Sequence, residues 1–317
     1  MKLSIIIPIY GVEKYIEKCL LSCIRQGAVK LGVDYEIICV NDGTPDDSAS
    51  IARAIAGRYE GIRVVDQQNQ GLSVARNTGT DIAVGDYIWY VDSDDFIEER
   101  CLERILPILS EGYDILALRH RDVFEDGSVR EYDYSSLRGI DSGKEMLFQG
   151  CFSPCVQFFV FRRDLLKRND LRFVPGIYHE DSEFTPRALA FADKLRLDSG
   201  CAYNYLRRTS GSITSSFKLK NAEDIFSVNR NLYEFSLRFD RETRRALNWQ
   251  ISTNLNTVFS GMGNLSADDR VRVVRLLKEN RYLFRCMMNT RKAKFRIEGL
   301  LFLLNVRCAL ALYGACK

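Results

Sequence analysis

The chain has 317 residues, of which 46% are hydrophobic and 27% are charged, and its net charge is +3. This composition excludes a disordered or fibrous protein and supplies enough apolar side chains for one large domain with an appendage. The ten cysteines are spread along the chain and lie mostly in apolar runs, which predicts reduced core thiols rather than a disulfide scaffold. The first residues contain no signal-peptide hydrophobic region, so we expect a cytoplasmic protein.

Short apolar runs alternate with amphipathic helical stretches over the first hundred residues, which is typical of β-α-β units and a mainly parallel sheet. The predicted strands are 3–9, 35–41, 62–66 and 86–92, and the predicted helices are 12–26, 47–59 and 72–83. In an open α/β sheet, ligands bind beyond the carboxyl ends of the strands. The residues that follow each strand are therefore the first candidates for a functional site.

The pattern becomes mixed after residue 97. We predict a helix over 98–110, a strand over 113–119, a hairpin turn at Asp126-Gly127, strands over 157–161 and 201–207, and a helix beginning near Glu180. From about Lys220 the pattern is wholly helical, until glycines at 261 and 263 mark a break.

Three carboxylates, Asp92, Asp94 and Asp95, follow the fourth predicted strand within four residues. Clustered negative charges are costly unless a cation compensates them, and hard divalent ions bridge carboxylates to phosphate oxygens. The segment therefore predicts a site for a metal and a phosphate. The alternative is a solvated turn in which Asp95 caps a helix.

Two further side chains point to the same chemistry. Asp42 follows the second strand, where Gly43 lets the chain turn tightly beside a ligand, and its carboxylate can accept a hydrogen bond from a base or ribose. By itself, such a junction is also common turn chemistry. Arg76 lies in the third predicted helix. Together with Asp42 and Asp92 it supplies the cation that a pyrophosphate requires, and the alternative is a surface arginine.

Four blocks of sequence carry a resemblance to a known family. They are Ser4-Ile5-Ile6-Ile7-Pro8-Ile9-Tyr10, Asn41-Asp42-Gly43-Thr44, Gly71-Leu72-Ser73-Val74-Ala75-Arg76-Asn77 and Val91-Asp92-Ser93-Asp94-Asp95. In this order and spacing the blocks resemble the family 2 glycosyltransferases. The resemblance implies the GT-A nucleotide-diphospho-sugar transferase fold, which is an α/β, Rossmann-like fold with a mainly parallel sheet.

The resemblance also assigns roles to residues of these blocks and the loop before the third helix. It implies that a nucleotide pocket is lined by Pro8, Tyr10, Asp42, Asn69 and Arg76. It further implies that Asp92 and Asp94 form the DxD pair, with Asp92 near the ribose and Asp94 on a Mn²⁺ or Mg²⁺ ion bound to the diphosphate.

Two later segments resemble the family more loosely. Asp181 matches the position of the catalytic base, which takes the proton of the acceptor hydroxyl in an inverting transfer. Glu180 and Asp181 can instead be acidic residues that enrich the first turn of a helix. Arg208 and Ser212 match an element that closes over the donor phosphates, and Arg207 competes with Arg208 for that role.

The C-terminal part of the chain is basic. From residue 267 onward it contains twelve lysine and arginine residues and four acidic residues, a net charge of +8. The apolar stretch 297–313 follows a basic segment at 291–296 and is too short and too charged to span a bilayer. The combination favours contact with an anionic membrane surface, with a packing helix or a dimer contact as the alternative.

The sequence thus predicts a GT-A domain over 1–215, with a nucleotide-binding half (1–96) and an acceptor half (97–215), and a helical region over 216–317. The predicted function is an inverting, metal-dependent transfer of a single sugar from a nucleotide-diphosphate sugar, with a UDP-sugar favoured. The acceptor is expected to be a glycan or a lipid-linked molecule in cell-surface polysaccharide or glycoconjugate assembly.

The predicted location is the cytoplasm, with peripheral contact at the inner face of the cell membrane. No nucleic-acid partner is expected, and homo-oligomerisation stays open. Two alternatives remain, a nucleotide-sugar-binding protein without catalysis and a sugar nucleotidyltransferase. A nucleotidyltransferase should carry a glycine-rich basic loop after the first strand, and Pro8-Ile9-Tyr10-Gly11-Val12-Glu13 does not provide one.

Overall fold

The computed structural model describes residues 1–150, 152–208 and 217–311, which divide into two compact units. The first unit comprises Met1–Gly143, Ser153–Gly176 and Phe191–Thr209. The second unit comprises Lys144–Phe152, Ile177–Ala190 and Ser210–Lys317. The domain boundary proposed from sequence between residues 215 and 216 stays a prediction.

The first unit is built on one nine-stranded sheet. Its strands are β1 (Leu3–Ile9), β2 (Tyr35–Asn41), β3 (Ile62–Asp66), β4 (Tyr87–Tyr90), β5 (Phe96–Ile97), β6 (Ile115–Phe124), β7 (Val129–Glu131), β8 (Phe159–Arg162) and β9 (Leu195–Arg207). Their order is β3-β2-β1-β4-β8-β6-β9-β5, and β7 pairs with β6.

The direction of the strands decides where the site lies. β1 pairs in parallel with β2 and β4, and β2 pairs in parallel with β3. β8 is antiparallel to both β4 and β6, and β9 is parallel to β6. Consequently the carboxyl ends of β1, β2, β3, β4, β6 and β9 share one edge of the sheet, here called the carboxyl edge.

Burial explains why the N-terminal strands form as they do. Every residue of β1 and β2 is buried, and both strands are rich in isoleucine, as expected for parallel strands covered on both faces. The unit's helices are α1 (Ile16–Ile24), α2 (Ser48–Ala56), α3 (Leu72–Ile82), α4 (Cys101–Ser110) and α6 (Arg163–Arg168). A side chain at Gly79 of α3 would overlap Ile6 of β1, so glycine permits this close approach.

The second unit is helical. It contains α5 (Gly143–Gln149), α7 (Glu180–Phe191), α8 (Leu219–Ser236), α9 (Arg241–Gly261), α10 (Ala267–Glu279), α11 (Tyr282–Met288), α12 (Ala293–Leu304) and α13 (Val306–Ala311). Its core includes Phe302, whose ring stacks on Phe259 and Phe284 with centroid distances of 4.1 and 5.1 Å. None of the helices in the described ranges is both long and apolar enough to cross a membrane.

The predicted fold class, an α/β GT-A domain followed by helices, is confirmed by this architecture together with the structural comparison given below. The eight described cysteines are free thiols, and most of them are buried, as the sequence predicts.

Candidate functional site

The acidic turn after β4 lies at the carboxyl edge. Asp95 is buried, and its carboxylate accepts hydrogen bonds from the Tyr203 hydroxyl and the Leu206 amide, both at 2.7 Å. The Tyr203 hydroxyl also accepts a hydrogen bond from the Asp92 amide at 3.2 Å. Asp95 therefore ties the turn to β9 and does not cap a helix. Asp92 and Asp94, with side chains 24% and 22% exposed, are left as the carboxylates open to a ligand.

The turn concentrates negative charge in a poorly solvated place. Burial raises the pKa of Asp94, and the neighbouring Asp92 raises it further. Burial also raises the pKa of Asp95 well above its ordinary value, with Asp94 and Asp92 adding to the effect. A cation bound at this turn would therefore stabilise the ionised carboxylates.

Two arginines neutralise the partly exposed carboxylates of Asp92 and Asp94. Arg76 of α3 places its Nη2 at 2.7 Å from Asp92 Oδ1, and Arg208, directly after β9, places its Nη2 at 2.6 Å from Asp94 Oδ2. The Arg208 guanidinium also lies 5.2 Å from the centre of the Tyr15 ring. Because Arg76 is only 2% exposed, loss of its charge would leave Asp92 without a compensating cation in a partly buried setting.

A small group of residues holds Arg76 in place. Its guanidinium lies 5.3 Å from the centre of the Phe173 ring. The Asn77 side chain accepts a hydrogen bond from the Phe173 amide at 3.0 Å and donates one to the Phe173 carbonyl at 2.9 Å. Asn77 and Phe173 are thus positioning residues for Arg76. Sequence reasoning missed Phe173 and Tyr203, because nothing local in the sequence signals a contact across about a hundred residues.

The structure separates the two competing arginines. Arg208 pairs with Asp94, whereas Arg207 pairs with Asp122 of β6 at 2.9 Å between Nε and Oδ2. This favours Arg208 as the residue at the donor phosphates. Ser212, the other residue predicted in this element, lies outside the described residues.

Asp42 organises the loop that leads from β3 to α3. Its Oδ1 accepts hydrogen bonds from Gln67 Nε2 at 2.7 Å and from the Gln70 amide at 2.9 Å, and its Oδ2 accepts one from the Gly71 amide at 2.8 Å. The carboxylate is buried. Asp42 therefore shapes the approach to α3, and with it the position of Arg76.

The other residues predicted at the nucleotide also lie near this edge. Pro8 is buried in β1 opposite Val40, whereas Tyr10, just after β1, is 52% exposed. Asn69 is exposed in the loop after β3. A Cβ atom added at Gly43 would lie 3.1 Å from the backbone nitrogen of Asn69, so the two loops pass close to each other. Gly43 has a φ of +66°, a conformation that favours glycine. The first unit thus places Tyr10, Asp42 and Asn69 after three neighbouring strands.

Asp181 lies in the first turn of α7, in the second unit. Its Oδ1 accepts a hydrogen bond from the Ser182 amide at 2.6 Å, and the residue is half-buried. The preceding His179 has a φ of +63°, and the Tyr178 amide donates a hydrogen bond to Asp224 of α8 at 2.8 Å. A positive φ at a residue other than glycine is strained, so the surrounding structure must hold His179 and this turn in their conformation.

The acidic neighbours of Asp181 differ in their surroundings. Glu183 is buried and pairs with Arg187 one helical turn later, at 2.6 Å. Burial raises the pKa of Glu183, and Arg187 opposes this effect. Glu180 is half-buried at the start of the helix. The ion pair commits Glu183 to a structural role within α7.

Comparison with known proteins identifies the family. The profile of Glycosyl transferase family 2 matches residues 4–169, which is more than half of the chain and includes the acidic turn. The chain belongs to glycosyl transferase family 2. It is 32% identical over 221 residues to the uncharacterized glycosyltransferase YibD of Escherichia coli, covering 67% of this chain and 63% of YibD.

Two further likenesses are informative. A poly(ribitol-phosphate) beta-glucosyltransferase of Bacillus spizizenii is 31% identical over 214 residues, which cover 67% of this chain and 33% of that protein. The crystal structure of S. aureus TarS 1-349 in complex with UDP-GlcNAc superposes with a TM-score of 0.81 at 22% identity, covering 99% of this chain and 91% of TarS 1-349. The chain therefore has the fold predicted from its sequence, and the matched region spans less than two thirds of YibD.

The residues of the acidic turn fit a metal held jointly with a ligand. In the described part of the chain, no group of three or more histidine, cysteine, aspartate or glutamate side chains is arranged to hold an ion by itself. The partly exposed carboxylates of Asp92 and Asp94 each face a guanidinium instead. One or two carboxylates are suited to a Mg²⁺-type ion when a diphosphate supplies further oxygens.

Proposed function

We propose that this protein is an inverting, metal-dependent glycosyltransferase that moves a single sugar from a nucleotide-diphosphate sugar to an acceptor hydroxyl. The observation that carries the proposal is the pair of partly exposed carboxylates, Asp92 and Asp94, set between Arg76 and Arg208 at the carboxyl edge. Alternating negative and positive groups suit a diphosphate with a bound cation, since each charge of the ligand meets an opposite one. A UDP-sugar is the favoured donor.

The donor is proposed to lie along the carboxyl edge. Pro8, Tyr10, Asp42 and Asn69 would contact the nucleotide, and Asp92 would contact the ribose. Asp94 would hold Mn²⁺ or Mg²⁺, which when bound neutralises charge on the leaving diphosphate. Arg76, Arg208 and Ser212 are proposed to contact the phosphates. The exposure of Tyr10 and Asn69 at the carboxyl edge supports this arrangement.

Asp181 is proposed as the base. It would accept the proton of the acceptor hydroxyl while the hydroxyl oxygen attacks the anomeric carbon on the face opposite the departing nucleotide, which inverts that carbon. The ion pair that occupies Glu183 argues against Glu183 as the base. A nucleotide-sugar-binding protein without catalysis is the second candidate, and substitution of Asp181 separates the two because binding alone does not need a base.

The acceptor is proposed to be a glycan or a lipid-linked molecule in cell-surface polysaccharide or glycoconjugate assembly. The similarity to a poly(ribitol-phosphate) beta-glucosyltransferase supports this class of acceptor. Residues 1–96 are proposed to bind the nucleotide, and residues 97–215 are proposed to bind the acceptor.

Peripheral membrane contact is proposed for the outer face of α12. Ile297, Leu300 and Leu304 are 61%, 48% and 74% exposed, and their spacing of three and four places them on one face of the helix. The opposite face buries Phe295 and Phe302 in the core. Exposed basic residues flank the apolar face on and beside the helix: Arg291, Lys292, Lys294, Arg296 and Arg307. An apolar stripe with a basic border suits an anionic bilayer surface.

We expect the triple variant Ile297→Ser, Leu300→Ser and Leu304→Ser to bind phosphatidylglycerol-containing liposomes at least about tenfold more weakly, because each inserted apolar side chain contributes roughly 1.5 kcal/mol or more. Flotation at low and high salt measures the effect. A matched variant with serine at Val33, Val84 and Leu237, which are exposed elsewhere, should bind like the wild type. If the wild type does not float at low salt, or dimerises through this face instead, the membrane proposal fails.

A further inference from the structure

The carboxyl edge continues past the acidic turn to the ends of β6 and β9, where aromatic side chains gather. We define the aromatic platform as His120, Tyr132, Tyr134, Phe158 and Tyr205, all in the first unit. We propose that the aromatic platform binds a sugar ring of the acceptor. The proposal rests on the function proposed above and specifies where and how that enzyme holds its second substrate.

The rings form one connected stack. The His120 ring lies face to face with Phe158, with centroids 3.6 Å apart and planes within 5°. Tyr132 packs on His120 at 4.7 Å, and Tyr134 meets its edge at 5.9 Å. Phe158 continues to Tyr205 at 6.4 Å. Such contacts fix ring orientations, so the platform is already formed without a ligand.

The platform has a buried base and an open rim. Phe158 is 6% exposed, whereas Tyr132 is 39% exposed, and His120, Tyr134 and Tyr205 are half-buried. A pyranose has an apolar face of C–H groups and a rim of hydroxyls. Aromatic faces carry negative partial charge that attracts polarised C–H groups, so partly exposed rings suit the apolar face of a sugar.

A polar group at the rim, Arg207, can meet the hydroxyls, and the buried Asp122 holds it in place. Asp122 accepts hydrogen bonds through Oδ2 from the Tyr132 hydroxyl at 2.7 Å and from Arg207 Nε at 2.9 Å. Its Oδ1 is buried and has no hydrogen-bond partner among the described residues. The Arg207 guanidinium lies 4.3 Å from the centre of the Tyr205 ring and is 45% exposed. Asp122 thus orients Arg207, whose guanidinium can donate hydrogen bonds to sugar hydroxyls.

The aromatic platform is connected to the acidic turn through Tyr203. The Tyr203 ring lies 5.6 Å from Phe158, and its hydroxyl bonds to Asp95. On β9, Arg207 of the platform rim directly precedes Arg208, which pairs with Asp94. The acceptor ring would therefore bind next to the donor phosphates at the same edge of the sheet.

Saturation-transfer difference NMR tests this placement, with methyl β-D-glucoside, methyl β-D-galactoside and methyl N-acetyl-β-D-glucosaminide as probes. We expect a signal on the ring protons of at least one glycoside in the wild type, which persists when excess UDP fills the donor site. In Tyr132→Ala and Tyr205→Ala the signal should fall at least about tenfold. Tyr59→Ala removes a tyrosine with the same 39% exposure elsewhere in the unit and should leave the signal unchanged.

Controls keep the outcomes distinct. Tyr132→Phe keeps the ring and loses the hydrogen bond to Asp122, and we expect it to retain most of the signal. Thermal melting identifies any variant that fails to fold. An unchanged signal in folded Tyr132→Ala and Tyr205→Ala, or loss of the signal when UDP is added, would overturn the placement. Release of UDP from a UDP-sugar by the wild type reports on the proposed function separately, so either proposal can fail alone.

Discussion

Replacement of Asp94 with alanine is expected to reduce sugar transfer at least about a thousandfold. Asp94 is one of the partly exposed carboxylates at the carboxyl edge, and it is proposed to hold the ion that joins the protein to the diphosphate. Without it, the charge that develops on the leaving group loses its main compensation. Initial rates of nucleotide release, with a saturating donor and Mn²⁺, measure the effect.

The control is Asp81→Ala, which breaks an exposed aspartate–arginine pair with Arg172 in the same unit and should keep nearly full activity. Excess EDTA should reproduce the Asp94 defect in the wild type. Full wild-type activity in EDTA would refute the metal requirement, and an active Asp94→Ala variant would move the metal to another residue.

Replacement of Asp181 with asparagine is expected to lower kcat at least about a hundredfold while donor affinity stays nearly the same. A general base acts on the proton in transit, so its loss affects the transition state more than the bound ground state. Asparagine keeps the size of the side chain and can still accept the hydrogen bond from the Ser182 amide, so the start of α7 should persist. Calorimetry of donor binding and steady-state kinetics together separate the two quantities.

Glu180→Gln is the matched control, because it removes an adjacent carboxylate in the same helical turn. We expect it to turn over within a few-fold of the wild type. If Asp181→Asn is active while Glu180→Gln is not, Glu180 is the base. If neither variant loses activity, the catalytic carboxylate lies outside this turn.

Much of the sheet could be predicted because its signal is local. β1, β2 and β3 begin and end where the runs of apolar residues do. The strand predicted over 86–92 is longer than the observed β4. The chain stops pairing with β1 after Tyr90, where the acidic turn begins. The helix predicted from residue 12 begins at Ile16, since Val12 to Tyr15 form a turn closed by a hydrogen bond of 2.8 Å. The two-residue β5 is too short to leave a periodic pattern.

The site could be predicted only in part, because several of its contacts join segments that are far apart in the sequence. Residues that follow parallel strands must meet at one edge, which is why Tyr10, Asp42 and Asp92 could be grouped from sequence alone. The contacts that hold the site join distant segments, such as Tyr203 to Asp95 and Asn77 to Phe173. A single sequence does not record such pairings, because many aromatic or polar residues would satisfy the same local pattern.

The most direct test of the central claim is isothermal titration of UDP into the wild type and into Asp94→Ala, each with Mn²⁺ and with excess EDTA. We expect EDTA to weaken UDP binding to the wild type at least about tenfold, and we expect Asp94→Ala to bind UDP with the same weak affinity in both conditions. Equal wild-type affinity with Mn²⁺ and with EDTA would contradict the claim that Asp94 and a divalent ion together bind the donor diphosphate.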